Sequence, residues 1–138
     1  MAGLLSRPSS WFLVVVALAG AAALVAFAWP RQADVRALTN VSVQELHAAA
    51  RQGALVLDVR EPFEFADGRV ADSVLVPLAT VASRASEFPQ DEPVFVFCRS
   101  GNRSSAAAEA LVAAGFSDVR NVLGGMLAWE AAGFPIAR

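Results

Sequence analysis

The chain has 138 residues, 56% of them apolar, and it carries 13 acidic residues against 11 arginines, with no lysine and a net charge of −2. That balance contains no basic run and gives no reason to expect a nucleic-acid partner. One cysteine excludes an internal disulfide and a multi-cysteine metal centre, and a single histidine, His47, cannot build a histidine cluster.

Residues 1–10 form a short flank ahead of residues 11–29, an uncharged run rich in Val, Ala, Leu and Phe. As a helix this run would reach roughly 28 Å, close to the hydrocarbon thickness of a bilayer. It predicts a retained single-pass membrane anchor. The alternative is a signal-peptide core, because Ala26-Phe27-Ala28 has the small-x-small form of a cleavage site and cleavage would leave an exported soluble protein. Arg7 precedes the span while Arg31 and Arg36 follow it, so the local basic count does not favour a cytoplasmic N-terminus. The early position and the likeness to an export signal nevertheless point to an extracytoplasmic domain. Residues 30–39 read as a polar linker and residues 40–138 as one domain, since about a hundred residues bury one modest core and not two. Every acidic residue and every arginine except Arg7 lies after Pro30, which leaves this part mildly acidic.

Ser42-Val43-Gln44-Glu45 is a capping box that opens a helix running to Arg51, with Gly53 ending it. Leu55-Val56-Leu57 is a short apolar strand that stops at Asp58. Residues 59–68 read as a charged loop with a short helical turn, Val74–Val76 as a second strand, and residues 77–88 as a local helical segment. Val94-Phe95-Val96-Phe97 has no polar alternation, the pattern of a strand covered on both faces in a parallel sheet. An alanine-rich helix is expected over Ser104–Ala114 with Gly115 after it, then a strand over Val119–Val122, the pair Gly124-Gly125 and a helix over Met126–Ala132. Strands alternate with helices throughout, so the fold class is α/β, a small mostly parallel sheet between helices.

A lone cysteine is usually a buried small hydrophobe. Cys98 stands differently, directly after the central strand, where open α/β sheets place their ligands. It is followed by Arg99-Ser100-Gly101-Asn102-Arg103-Ser104 and then by a helix. Gly101 permits a tight reversal that turns successive N–H groups toward one anion, and the helix N-terminus adds its positive end. Arg99 and Arg103 can bring two further positive charges. Such surroundings favour a thiolate. His47 lies far off in sequence and is expected at the surface or in packing, so activation has to be electrostatic, without a Cys-His pair.

The Cys98-to-Arg103 segment, a cysteine and an arginine separated by four residues, resembles the active-site loop of single-domain rhodaneses, the thiosulfate and persulfide sulfurtransferases. Cysteine-based phosphatases carry a loop one residue longer, sized for a tetrahedral phosphoryl group. Further matches extend the likeness over the domain: Leu57-Asp58-Val59-Arg60 with Glu64-Phe65, Gly68-Arg69-Val70 through Pro77, and Gly124-Gly125-Met126 through Trp129 with Gly133-Phe134-Pro135. The resemblance implies a three-layer rhodanese-like fold. It also implies that Asp58 helps hold the active-site loop, with a strand terminator or helix cap as the plainer reading, and that Arg60 borders the substrate pocket. Met126 and Trp129 are expected beside the loop, Trp129 as packing or as a substrate contact. The chain departs from the family at Arg69-Val70, where His-Ile is usual, at Asp72-Ser73 in place of Gly-Ala, and at Leu75 in place of asparagine.

The implied reaction is covalent and ping-pong. Cys98 takes a sulfane sulfur from a small anionic donor such as thiosulfate, or from a persulfide, and passes it to a thiol, a protein acceptor or cyanide. Backbone N–H groups from Arg99 to Ser104 bind the terminal charge of the persulfide, and Arg60, Arg99 and Arg103 guide the donor, unless Arg103 instead braces the loop through Asp58 or Glu64. No cofactor and no metal are expected. Two alternatives stay open: a membrane-tethered persulfide carrier or binding domain with little turnover of its own, and a phosphatase or arsenate reductase.

Overall fold

The computed structural model describes residues 37–138. The apolar run 11–29, with its anchor and signal-peptide readings, and the first part of the linker lie outside the described residues. Among the described residues no helix is long and apolar enough to cross a membrane.

The sheet is built outward from the strand with the purest apolar pattern. Five strands run in parallel: β1 (Leu38–Val41), β2 (Leu55–Asp58), β3 (Val74–Leu75), β4 (Val94–Phe97) and β5 (Val119–Val122). Their order across the sheet is β1-β5-β4-β2-β3, which puts β4 at the centre. All four β4 residues are buried, and successive side chains enter opposite layers, as the two-residue period of a strand requires. Val94, Val96 and Cys98 join Leu57, Val59, Ala107, Leu111 and Phe116 in one core. Phe95 and Phe97 join Leu46, Val56, Val122, Met126 and Trp129 in the other. The absence of alternation in Val94–Phe97 follows from this double cover.

The helices forming the cover are α1 (Val43–Ala50), α2 (Pro62–Asp67), α3 (Val81–Arg84, flanked by 3₁₀ turns Leu78–Thr80 and Ala85–Glu87), α4 (Asn102–Ala113) and α5 (Gly125–Ala131). The capping box of α1 is formed on both sides: Glu45 N–H donates to Ser42 Oγ at 3.2 Å, and Ser42 N–H donates to the Glu45 carboxylate at 2.8 Å. The arrangement is a three-layer α/β/α domain.

Two boundaries differ by two residues from the sequence expectation. Residues 38 and 39, placed in the linker, belong to β1, which pairs with β5 from Leu38↔Val119 to Val41↔Val122. This edge strand buries only Val41 and is held by backbone pairing and an Asn121–Asn40 side-chain hydrogen bond of 3.0 Å, so it has almost no apolar signature of its own. Helix α4 begins at Asn102, not Ser104, because the left-handed Gly101 (φ 102°) makes the turn immediately before it. Among the departures from the family pattern, Asp72 takes φ 60°, a conformation open to glycine and tolerated by Asp. Arg69 N–H donates to Ala137 O at 2.9 Å and its guanidinium lies 5.0 Å from the centre of the Phe65 ring.

Candidate active site

Cys98 sits one residue beyond the C-terminal end of β4, buried, with its sulfur turned into the loop that follows. Gly101 N–H donates to Sγ at 3.0 Å, and Sγ donates to Ser104 Oγ at 3.4 Å, while that hydroxyl donates to Gly101 O at 3.0 Å. Burial pushes the thiol pKa up. The Ser104 hydroxyl and the N–H groups of Ser104, Gly101 and Ser100 outweigh it, so the pKa lies below that of an ordinary thiol. On ionisation the Ser104 hydroxyl can turn and donate to the sulfur, completing a ring of donors around one negative charge.

The loop is braced from two sides. Arg103 reaches α2 and pairs with Glu64 in a two-pronged bridge of 2.6 and 2.8 Å. The Arg103 hydrogen bond holds the Glu64 carboxyl down to about 2, against the opposing effect of partial burial. Of the two braces expected for Arg103, Asp58 and Glu64, the partner is Glu64. On the other side, the first turn of α5 takes hold of the loop backbone. Met126 N–H donates to Cys98 O at 2.9 Å and Leu127 N–H to Arg99 O at 3.1 Å. That approach requires Gly125 (φ 52°), where an added Cβ would collide with Cys98 O and lie 2.5 and 2.6 Å from the Arg99 carbonyl atoms. Two helix N-termini thus serve one loop, α4 toward the sulfur and α5 toward the carbonyls.

Asp58 and Arg60 are paired with each other, and Arg60 also lines the pocket beside the loop. Asp58 is fully buried and its side-chain hydrogen bonds all go to Arg60; both its oxygens accept from that residue, with Nη2 at 2.6 Å. Arg60 is 4% exposed and donates also to Gly68 O at 2.8 Å and Glu64 O at 3.3 Å. Its charge is consumed inside the protein, and it fixes the segment that carries Glu64. Any hold of Asp58 on the catalytic loop is therefore indirect, through Arg60, α2 and Arg103. Arg99, Ser100 and Asn102 are exposed at the loop surface, Gly101 is half-buried and Ser104 is buried. Trp129 does not line the pocket that Arg99 and Met126 border. It packs in the opposite layer against Phe97, Phe134 and His47, and its Nε1–H donates to Pro135 O at 2.9 Å. His47 stacks on Phe134 with ring centres 4.1 Å apart, a packing residue remote from any nucleophile role.

A pocket of about 410 Å³ opens beside the loop, with Arg60, Glu64, Arg99 and Met126 in its wall and Phe63 and Leu127 at its rim. Sequence reasoning did not single out Phe63 or Leu127; nothing in the pattern of α2 or α5 says which apolar side chain faces outward at the site. Among the described residues no group of three or more His, Cys, Asp or Glu side chains could hold a metal ion.

Residues 42–132 match the Rhodanese-like domain family. A sulfurtransferase of Allochromatium vinosum is 39% identical over 88 residues, 64% of this chain and 82% of its own length. A thiosulfate sulfurtransferase, GlpE, of Pseudomonas syringae is 40% identical over 91 residues, 66% of this chain and 86% of its own length. The crystal structure of a rhodanese-related protein from Thermoplasma volcanium is similar with a TM-score of 0.65 and 34% identity, over 71% of this chain and 96% of that one. The family match spans β2 to β5, the cysteine loop and α5, and the chain belongs to the rhodanese-like domain family as a rhodanese-type sulfurtransferase.

Proposed function

We propose that Cys98 carries a sulfane sulfur as a persulfide, taking it from thiosulfate or a persulfide donor and handing it to a thiol or cyanide. The observation that supports this most directly is the seat of the sulfur in the loop, with Gly101 N–H donating to it at 3.0 Å, the Ser104 hydroxyl 3.4 Å away and no general base within the loop. The thiolate attacks the outer sulfur of thiosulfate; the new Sγ–S bond forms as the S–S bond breaks, and sulfite leaves with the electron pair. The persulfide anion that remains needs donors one bond further out. The N–H groups between Arg99 and Ser104 meet that need as preorganised dipoles. An acceptor thiolate or cyanide then attacks the outer sulfur, and the Cys98 thiolate is regenerated. In this scheme Arg99 is the exposed cation that guides an anionic donor, Arg103 braces the loop through Glu64, and Asp58 with Arg60 holds the brace. Ser100 and Asn102 lie exposed on the loop, and Trp129 anchors α5 against Phe97 and Phe134.

Incubating the full chain with thiosulfate and measuring intact mass tests the scheme: one sulfur, about 32 Da, is added and cyanide removes it, whereas Cys98→Ser takes none. Unlabelled wild type, or labelled Cys98→Ser, overturns it. The complete burial of Cys98 favours a second reading, a persulfide carrier that shields its cargo until a specific acceptor arrives. Slow discharge to small thiols after fast loading distinguishes that case, and turnover of phosphate esters or arsenate would instead return the phosphatase-type reading.

We further propose that residues 11–29 tether this domain to a membrane with the site on the extracytoplasmic side, the alternative being export after cleavage. N-terminal sequencing of the mature chain, with protease accessibility of the domain in intact cells, separates the two.

A further inference from the structure

Helix α2 carries Glu64, the partner of Arg103, yet it buries no side chain in the core: all six of its residues stay at least partly exposed. A helix this short does not hold itself together in water, so its neighbours have to place it. From within, Arg60 grips it, with Nη2 donating to Gly68 O at 2.8 Å and Nη1 to Glu64 O at 3.3 Å. From outside, the segment that follows α5 takes hold of the same end. Arg69 N–H donates to Ala137 O and Ala137 N–H to Arg69 O, both at 2.9 Å, in an isolated antiparallel bridge. Next to that bridge Ile136 lies against Gly68, so closely that a Cβ added at residue 68 would stand 2.7 Å from Ile136 Cγ2. Gly68 has φ 173°, extended backbone that any residue adopts, so the turn itself does not call for glycine. What excludes a side chain there is Ile136. Its Cγ2 is bonded directly to Cβ, and a β-branched side chain is stiff at χ1, so the methyl does not swing aside freely.

The same segment is tied to α5 where it starts. Phe134 N–H donates to Trp129 O at 3.3 Å, and Trp129 Nε1–H donates to Pro135 O at 2.9 Å. The contacts therefore close a ring through the cysteine loop. Helix α5 holds the loop carbonyls, residues 133–137 run from α5 to Gly68 and Arg69, Gly68 N–H bonds back to Glu64 O at 3.3 Å, and Glu64 returns to the loop through Arg103. From this ring we infer that residues 134–137 are a strap that positions the catalytic loop, with Ile136 and Ala137 acting on Cys98 through Gly68, Glu64 and Arg103. They are positioning residues, and they act alike whichever sulfur donor is used. The inference needs Cys98 to react as a thiolate and does not depend on the identity of donor or acceptor.

The test adds thiosulfate to the full chain and follows labelling of Cys98 by mass. Gly68→Ala should slow labelling by roughly tenfold, since the added methyl drives the strap and α2 apart and shifts the brace on the loop. Ile136→Ala, which removes the colliding methyl, should bring Gly68→Ala back to within about threefold of wild type. In a Glu64→Gln background, where the link to Arg103 is already weakened, Gly68→Ala should cost less than about twofold more. A strap that served folding alone would add its loss in full, so the non-additivity separates positioning from general stability. A wild-type rate in Gly68→Ala, a loss undiminished by Ile136→Ala, or full additivity with Glu64→Gln overturns the inference. Should Gly68→Ala not fold, Ile136→Ala alone decides: slowing by about threefold that vanishes in Glu64→Gln supports the strap, and an unchanged or additive rate overturns it. If thiosulfate does not label the wild type, the persulfide reading falls by itself, and alkylation by iodoacetamide replaces it as the readout, because Cys98 is the only cysteine. The pH midpoint of alkylation should then move up toward the ordinary thiol value in Gly68→Ala and return with Ile136→Ala. An unmoved midpoint overturns the strap.

Discussion

The floor of the site and its rim are built on opposite plans. On the floor nearly every polar atom has a partner inside the protein: Asp58 with Arg60, Glu64 with Arg103, Cys98 O with Met126 N–H, and the sulfur with Gly101 N–H. At the rim, Phe63, Arg99 and Leu127 project into solvent. The difference separates two jobs. A buried, fully partnered floor fixes where the sulfur sits and how much negative charge it tolerates, whereas an exposed rim can change partner without disturbing that setting. Substitutions on the floor should then alter reactivity toward every donor alike, and substitutions at the rim should alter the choice among donors.

The strongest way to break this division is at Gly125. Ala there collides with the Cys98–Arg99 backbone, and the loop has to move. Displacement on the scale of an ångström costs about a hundredfold in rate, so Gly125→Ala should slow Cys98 labelling by about that factor with all donors. A donor-dependent loss would show that α5 acts on the rim and not on the floor. Next is Arg60→Ala, which strands the Asp58 carboxylate in the core. Removing one partner of a buried pair costs about 3–5 kcal/mol, and urea unfolding should register that loss while Arg60→Met, by retaining more of the packing volume, loses less.

Glu64→Gln sharpens the comparison through pH. The folded carboxyl is held down to about 2 from 4.5, chiefly by Arg103, so the bridge contributes stability that is fully present above the unfolded value and is lost as pH falls toward 2. Over that window the wild type should lose on the order of 2–3 kcal/mol that Glu64→Gln lacks at every pH. Acid unfolding followed by tryptophan fluorescence measures both. Because the same bridge braces the loop, Glu64→Gln should also slow labelling by about tenfold at neutral pH, a loss near 1.4 kcal/mol in the barrier. Equal labelling rates would remove Glu64 from the loop-positioning role.

Much of this floor was legible in the sequence, and the parts that were not share a cause. Val94–Phe97, Gly101 and the cysteine-to-arginine spacing carry local information: an unbroken apolar run, a residue free to take φ 102°, a fixed loop length. Strand β1 escaped because an edge strand with one buried residue is specified by its partner, β5, and not by its own pattern. Asp58 and Arg60 were visible as charges past a strand end; resemblance implied a loop hold for Asp58 and a pocket border for Arg60, which does line the pocket beside the loop. Only the three-dimensional path of Arg60 back to Asp58, Glu64 O and Gly68 O shows its charge turned inward. Trp129 was read with Met126 as a neighbour of the loop; the two share one buried face of α5, but the indole extends from that face to Phe97, His47 and Phe134.

The finest probe of the division is a pair of single-atom-scale changes, one on each side of it. Ser104→Ala removes the hydroxyl beside the sulfur and leaves the loop N–H groups in place. Burial still pushes the thiol pKa up, with one fewer donor opposing it. The midpoint of the pH–labelling profile should move up toward the ordinary thiol value, with the rate at pH well above the midpoint changed less than about threefold, a difference of about 0.7 kcal/mol. Arg99→Gln, on the rim, should leave that midpoint where it is, because Arg99 is absent from the groups that set the thiol's acidity. It should instead slow thiosulfate by about two- to fivefold, since one exposed charge acting through water contributes no more than about 1 kcal/mol, and the effect should fade as salt is raised. An upward midpoint shift in Arg99→Gln would mean that the rim reaches the floor electrostatically. The two plans would then be one, with Arg99 part of the thiolate's own setting.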